Sequence, residues 1–471
     1  MDVPAACPLT ELPHPAGRLP ILGDLTSADP RRPTQHELAM AQAGLGPIFE
    51  RKLLGTRIVI VTGAQLAAQC CDENTWARCL AGPGEVFRKI VPEGLFTIRT
   101  SNPLWGQARR VLGPGFSQGA MRSYHQAMNS VADDLLTEWG SVDARRVDVH
   151  QAMTNATLEV IGRAGFSRRL GLLGDADTDG SDTTRFVDAL ASILTWASAQ
   201  SNDVPVLGTF RALVRTPHAH TQIAIARRFV DTMIADRRNS QSASGADDLL
   251  GLMLTVPDPE TGELLPDTNV RDQVLTFLVA GHETTAALLE TTLHYLAERP
   301  ELQDELRQEI HGRGSFDYGA VTGMRKVRNV LNEVLRLWPP VPGFFRLART
   351  GQTLGGYHVP AGQPVFVLAL AAHRDPDVWG SRASEFDPTR FEPAALREHP
   401  DRWFHPWGTG PRSCIGMAFA LHEATLLLAR ILDATTLSAP EPLDMHERGT
   451  LRPSPFRMTV RERERNGVRL P

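Results

Sequence analysis

The sequence predicts a mainly α-helical protein with a small β portion, folded as one large domain spanning residues 1–471. Three observations predict it. From Gln65 onward apolar residues recur mostly at helical spacing, strand-like stretches are short and confined to 48–62 and 353–370, and no long linker or internal repeat divides the chain. Composition agrees: 42% hydrophobic and 22% charged residues are globular values that exclude a disordered chain.

Charge and cysteine usage exclude further classes. With 49 basic against 54 acidic residues the net charge is −5, the wrong sign for a phosphate-neutralising nucleic-acid binder. The lysines are Lys52, Lys89 and Lys326, an arginine bias that points to a GC-rich coding genome. Cys7, Cys70, Cys71, Cys79 and Cys414 lack CxxC spacing, which argues against a disulfide framework, a zinc ribbon or an iron–sulfur centre. The N-terminus shows no basic and apolar signal regions, and no run reaches the ~18 apolar residues of a membrane span. A soluble, cytoplasmic protein without a membrane anchor is expected.

The elements follow in order. Residues 1–30 are proline-rich and read as an extended arm. Residues 48–62, IFERKLLGTRIVIVT, read as two strands around Gly55. Loops are expected at 171–184, 239–246 and 257–267. The longest helical pattern then starts at an N-cap on Asp267 or Thr268 and ends at Pro300, with Val274, Phe277 and Leu278, then Leu289, Leu293 and Leu296, at helical spacing. Short strands return at 353–370, a last helix follows Cys414, and RERER at 461–465 is the first charge block.

Cys414 carries the chemistry. In WGTGPRSCIG it lies between Gly408 and Gly410 on one side and an amphipathic helix on the other, so its sulfur is expected at a helix N-terminus where a thiolate is favoured. Gly416 leaves room for a flat ligand, and Arg412 can meet an anionic group. A phosphate loop is one bland reading, but Ser413 stands where GxGxxG needs its last glycine. An inert buried cysteine is another, which the glycine and arginine pattern outweighs.

WGTGPRSCIG resembles the haem-binding loop of the cytochromes P-450, with Trp407 where that family usually has phenylalanine. The resemblance implies the P-450 fold, haem b (iron protoporphyrin IX) and Cys414 as axial ligand of its iron. Further segments join it. AGHETT, Ala280 to Thr285, resembles the family's oxygen-binding helix, which makes Thr284 and Glu283 the proton-delivering pair. The bland reading of that segment is a helix bend with threonine bonded back to a carbonyl. Its HExxH start fails as a zinc motif because position 286 is Ala286. Glu333 and Arg336 in VLNEVLRLWPP, with Arg390, match the family's structural clamp. Taken alone, an i,i+3 pair is more often a solvated surface pair. Trp105 and Arg109, four apart in WGQARR, resemble the propionate-binding helix, which implies a further contact from Arg346 or Arg349 in FFRLAR, Arg349 being the one favoured.

EGLF at 93–96, FSQGAMRSYH at 116–125, IADRR at 234–238, TLGGYHVPAG and HRDPDVWG extend the resemblance to the haem domain of bacterial self-sufficient fatty-acid hydroxylases, from about residue 20 to 460. It implies a monooxygenase that takes electrons from NAD(P)H and uses dioxygen to hydroxylate an apolar or amphipathic substrate. No flavin- or nicotinamide-binding segment is visible. A separate partner is therefore expected (ferredoxin with its reductase, flavodoxin or a diflavin reductase), unless the chain is an excised portion. A peroxide-driven haem enzyme is a rival that Thr284 argues against. Two more readings stay open: a tailoring oxidase of a natural-product pathway, and a non-catalytic haem-binding sensor or carrier. Phe96, Ala280 and Val341 match distal-pocket positions, with Ile90 and Val91 expected beside them. The arginine and tyrosine that hold the carboxylate in those relatives correspond to Thr56 and Ile60, so simple fatty acids are expected to bind more weakly than in the relatives unless Arg57 substitutes.

Overall fold

A five-stranded sheet and a bundle of long helices meet at the cysteine loop in the computed structural model, which describes residues 7–140, 144–174, 180–202, 205–239, 248–399 and 402–463. The first six residues of the arm, part of the 171–184 loop, most of the 239–246 loop and the end of RERER lie outside the described residues.

The sheet begins with a hairpin, β1 (Ile48–Leu53) and β2 (Thr56–Val61). Leu54 and Gly55 both take positive φ, 47° and 84°, the turn geometry that matches strand twist. The sheet is completed by β3 (Trp76–Cys79), β4 (Phe344–Ala348) and β5 (Pro364–Val367), in the order β1-β2-β5-β4-β3 with only β2–β5 parallel. Val59, Val61, Val365 and Val367 fill one face and are fully buried. The stretch expected as strand to residue 370 leaves the sheet at Leu368 and turns helical over Ala369–Ala372, where alanine favours helix.

The arm has a defined place. Glu50 N–H donates to Pro13 O at 2.9 Å, and Asp24 N–H donates to Lys52 O at 2.7 Å, so residues 13–24 run along the outer edge of β1. Arg18 grips Asp24 through its Nε and a terminal nitrogen, at 2.8 and 2.7 Å, and also meets Glu50.

The helices that position the site are α1 (Pro83–Ile90), α2 (Pro103–Leu112), α3 (Gln118–Trp139), α4 (Val149–Val160), α5 (Gly180–Asn202), α6 (Pro205–Asn239), α7 (Asp267–Ala297), α8 (Arg325–Leu337) and α9 (Met417–Ala434). α2 starts as its sequence dictates: Asn102 caps Leu104 N–H, with Pro103 at the first position. α7 is capped by Pro266, not Asp267 or Thr268. Asp267 falls in the first turn, where its charge suits the helix dipole. Its 31 residues are unbroken and at ~1.5 Å each cross the whole domain. Val274, Phe277, Leu278, Leu289, Leu293 and Leu296 are all buried, and the helix packs on α4, α6, α8 and α9.

After α9 the chain forms strands that periodicity does not disclose. Thr435–Ser438 and Arg457–Glu462 pair with each other, and the second also pairs with Arg145–Asp148, while β6 (Met445–Arg448) forms a hairpin with β7 (Thr450–Pro453). Each has four to six residues, too short for a pattern of its own.

Candidate active site

Between Asp272 and His294, α7 is buried at every position except Ala280, Gly281 and Thr284. Ala280 and Thr284 are four apart and share one face, so the helix opens for a single turn in the middle of the core. Thr284 Oγ1–H donates to Ala280 O at 2.8 Å, the back-bond of the bland reading. A Cβ on Gly281 would only touch Ile161 at 3.7 Å, and the helix does not break there. The expected bend is therefore not a break in the ladder.

The cysteine loop is built by backbone geometry. Gly408 and Gly410 take φ of +69° and +67°, which disfavours any side chain. A Cβ on Gly410 would also collide with Glu73 Oε1. Cys414 N–H donates to Trp407 O at 2.8 Å and closes the loop, while the half-buried Trp407 ring packs against the main core. A Cβ on Gly416 would lie 3.9 Å from Cys414 Sγ and 4.0 Å from Phe116, a narrow cradle beside the sulfur. Phe116 in turn packs on Phe277 of α7 at 5.7 Å between ring centroids. The loop is thereby tied to the helix that carries Ala280 and Thr284.

Cys414 is accessible yet deep. Burial pushes its thiol pKa up, against the opposing pull of Gly416 N–H and Arg109. The thiolate expected from a helix N-terminus is thus not favoured by the protein alone, because α9 begins three residues later and one N–H reaches the sulfur. A coordinated metal ion reverses that balance, since it deprotonates a ligating thiol.

Three arginines cluster beside the cysteine loop without a carboxylate partner among the described residues. Arg412 stacks over Trp105 at 4.3 Å and donates to Leu95 O at 2.8 Å, Ile98 O at 2.7 Å and Thr100 Oγ1 at 3.0 Å. Arg109 reaches Ser413 O at 3.4 Å. Arg78 on β3 stacks over Phe96 at 5.3 Å and bonds Phe96 O. Burial lowers all three pKa values, to about 9 for Arg412 and about 10 for Arg78, and repulsion from Arg78 and Arg109 adds to the lowering at Arg412. A group bearing carboxylates would relieve that repulsion. The donor set of one thiol, three unpaired guanidiniums and a glycine cradle fits an iron porphyrin with two propionates.

The structure separates Arg346 from Arg349. Arg346 is buried, donates to Thr409 Oγ1 at 2.8 Å between the two loop glycines, and pairs with Glu73 at 2.8 Å. Arg349 lies beyond the end of β4 and is exposed; its side chain donates to Glu73 O at 3.1 Å and its backbone N–H to Thr75 O at 3.0 Å. Of the two, Arg346 and not Arg349 reaches the cysteine loop, and Arg346 is already neutralised by Glu73. Strand alternation carries the signal, since Arg346 and Ala348 are the inward residues of β4. Arg78 had no signal: it is a lone arginine in WARC.

Glu333 and Arg336 are fully buried and make two parallel bonds of 2.7 Å. Arg336 also donates to His373 O, Ala383 O and Glu385 O, at 2.8, 2.6 and 3.1 Å. Arg390 Nε stands 3.6 Å from Glu333, and its terminal nitrogens bind Trp379 O and Arg382 O.

Among the pocket residues, Phe96 is 50% and Val341 51% exposed despite being large and apolar, and Ala280 is exposed as well. Ile90 and Val91 differ: each is 3% exposed and packed into the core, so neither belongs to the open face. Thr56 is exposed and Ile60 is buried beneath the sheet. Arg57 is held by Glu50 at 2.7 Å.

Glu283 does not face Thr284's opening. It is buried toward the β6–β7 turn, where a Cβ on Gly449 would lie 3.7 Å from its Oε2, and no hydrogen bond joins it to Thr284. Burial raises its pKa to about 7, with Arg452 opposing. Because the folded pKa is raised, the fold binds this proton more tightly than the unfolded chain does, so stability falls as pH rises from about 4.5 to about 7. Glu283→Gln is expected to flatten that slope. The variant should gain on the order of 3 kcal/mol over the parent at pH 8 and little at pH 4, by denaturant unfolding at both pH values. An equal change at both would refute the buried-acid reading.

A cytochrome P450 family profile matches residues 13–460. A bifunctional cytochrome P450/NADPH–P450 reductase of Bacillus cereus is 35% identical over 466 residues, 97% of this chain and 42% of the relative. The bifunctional cytochrome P450/NADPH–P450 reductase 1 of Bacillus subtilis is 35% identical over 456 residues, 95% of this chain and 42% of its own length. A self-sufficient cytochrome P450 monooxygenase of Aspergillus niger is 32% identical over 462 residues, 95% of this chain and 41% of the relative. The chain spans about two fifths of the length of these bacterial and fungal relatives. Among the described residues no helix is long and apolar enough to cross a membrane.

Proposed function

Because the chain belongs to the cytochrome P450 family, we propose that it is a haem-thiolate monooxygenase acting on an apolar or amphipathic substrate, with electrons delivered from NAD(P)H by a redox partner. One observation carries the reading: an accessible thiol on a glycine loop, beside three arginines that have no carboxylate partner among the described residues. Bound haem supplies the dioxygen and electron chemistry that no side chain can. Cys414 holds its iron, and Arg78, Arg109, Arg412 and Trp105 hold its propionates. Trp407 and Gly408 fix the loop, and Gly416 keeps the space beside the sulfur free of a side chain.

The remaining residues manage protons and the substrate. Thr284's proton is committed to Ala280 O, so its oxygen is left as an acceptor facing the opening, able to hold a water or a protonated reactant. Glu283, with its pKa near 7, is a proton reservoir one residue away. It serves Thr284 through water rather than by contact. Phe96, Ala280 and Val341 present apolar surface to the reacting carbon. The hairpin offers no free cation for a carboxylate from Arg57, since Glu50 occupies it.

The reduced, CO-bound holoprotein is expected to show the strongly red-shifted Soret band of thiolate ligation, and turnover should require an added reductase system. A histidine-type CO spectrum would refute the assignment. Thr284→Ala is expected to keep substrate binding and haem reduction while product per NADPH falls by about tenfold, against the ~10²–10⁴ that a positioned proton-transfer group contributes. The measurement is product and peroxide per NADPH consumed, and an unchanged ratio excludes Thr284 from proton handling.

A further inference from the structure

A cleft of about 510 Å³ lies away from the cysteine loop, where α1, α5 and α6 meet. That volume is of the size that holds small organic ligands. Its apolar wall is Trp196 of α5 and Ile223 of α6, and its rim carries Lys89 of α1 with Arg227 and Arg228 of α6.

The charges on this rim are unbalanced. On α1, Arg88 is paired with Glu85 at 3.0 Å, but Lys89 beside it has no ion pair among the described residues, nor has Arg228. Asp231, the one acid among the described residues that line the cleft, already pairs with Arg271 at 3.2 Å. Arg227 donates to Ile90 O at 2.8 Å, linking α6 to α1, and its Nε–H is buried with no acceptor. Asp272 of α7 attracts Arg227 without forming an ion pair, and its carboxylate accepts from Glu93 N–H at 2.8 Å. Trp196 is 8% exposed, and its indole Nε1–H is likewise buried without an acceptor. Both of these N–H groups are closed off from solvent, so it is the unpaired Lys89 and Arg228 beside the apolar wall that call for an amphipathic anion.

We propose that this cleft binds the oxyanion head group of an amphipathic molecule, with its apolar part against Trp196 and Ile223. Lys89 and Arg228 supply the charge and the donors, with the Arg227 guanidinium beside them. The inference deepens the monooxygenase reading, on which it rests for the identity of the ligand as substrate: it places the acidic end of the substrate here, between helices, and not on the β1–β2 hairpin.

The test is titration calorimetry on the holoprotein with sub-micellar dodecanoate and with its neutral methyl ester. Lys89→Glu/Arg228→Glu is the probe variant, because both side chains are exposed and Arg227, which binds Ile90 O, is left intact. Dodecanoate is expected to lose about tenfold or more in affinity in the variant while the ester is unchanged, and its spin-state titration should shift by the same factor. Equal dodecanoate affinity in both proteins overturns the proposal. Inorganic phosphate competing as well as dodecanoate would overturn its amphipathic part. The reduced CO spectrum of the parent keeps the two readings apart: one without the red-shifted Soret band tells against the haem-thiolate assignment, whereas a thiolate spectrum with unchanged dodecanoate binding in the variant tells against the cleft alone.

Discussion

Cys414→Ala is expected to abolish thiolate ligation and to bring monooxygenase turnover below detection while the protein stays folded. The loop does not need the sulfur to hold its shape. The bond that closes it runs from Cys414 N–H to Trp407 O, through backbone, and the turn rests on Gly408 and Gly410. Haem retention is expected to weaken without being lost, because the arginines proposed to meet its propionates are untouched. The reduced CO spectrum should lose its red-shifted Soret band, and product formation with a reductase system should cease. An alanine variant with the parent's CO spectrum would place the ligand elsewhere.

Arg336→Leu is expected to be the most destabilising single change in the frame around the site, by about 3–5 kcal/mol. It leaves Glu333 fully buried without the two 2.7 Å bonds that neutralise it, and it strips donors from His373 O, Ala383 O and Glu385 O. The double change Glu333→Leu/Arg336→Leu should cost less than Arg336→Leu alone, because no unpaired charge remains. Arg390→Leu should cost less as well, since its Nε stands off Glu333 at 3.6 Å. Denaturant unfolding of the three variants orders them. A double variant no better than Arg336→Leu would show that packing, not charge, governs this cluster.

What the sequence made legible was local. The cysteine loop could be read because its glycines, arginine and cysteine all fall within WGTGPRSCIG, and α7 because its apolar residues repeat over about eight turns. Glu333 and Arg336 are three apart on one helix, so their meeting needed no knowledge of the fold. Everything that depends on distant segments was hidden. Arg78 joins Arg109 and Arg412 only because β3 pairs with β4 at the far edge of the sheet. Favouring Arg349 over Arg346 runs against the alternation of β4, which turns the inner residue toward the loop. Glu283 adjoins Thr284 in sequence, yet successive helix positions are about 100° apart, so the two side chains occupy different environments. Ile90 and Val91 are apolar like the true open-face residues, and apolarity alone cannot tell core from pocket lining.

The arm along β1 bears on a different property, self-association. β1 is an outer strand of the five-stranded sheet, and its free N–H and C=O groups are met by Pro13 and Asp24 of the arm. An uncovered edge of this kind is a template on which a second polypeptide can add a strand. Among the described residues no hydrogen bond or ion pair joins the arm to the cysteine loop, but removing residues 1–25 bares that edge and takes Arg18 away from Glu50. Such a shortened protein is expected to keep its haem spectrum and yet gather into aggregates on concentration or warming, with the arm acting as a guard on colloidal behaviour rather than as part of the catalyst.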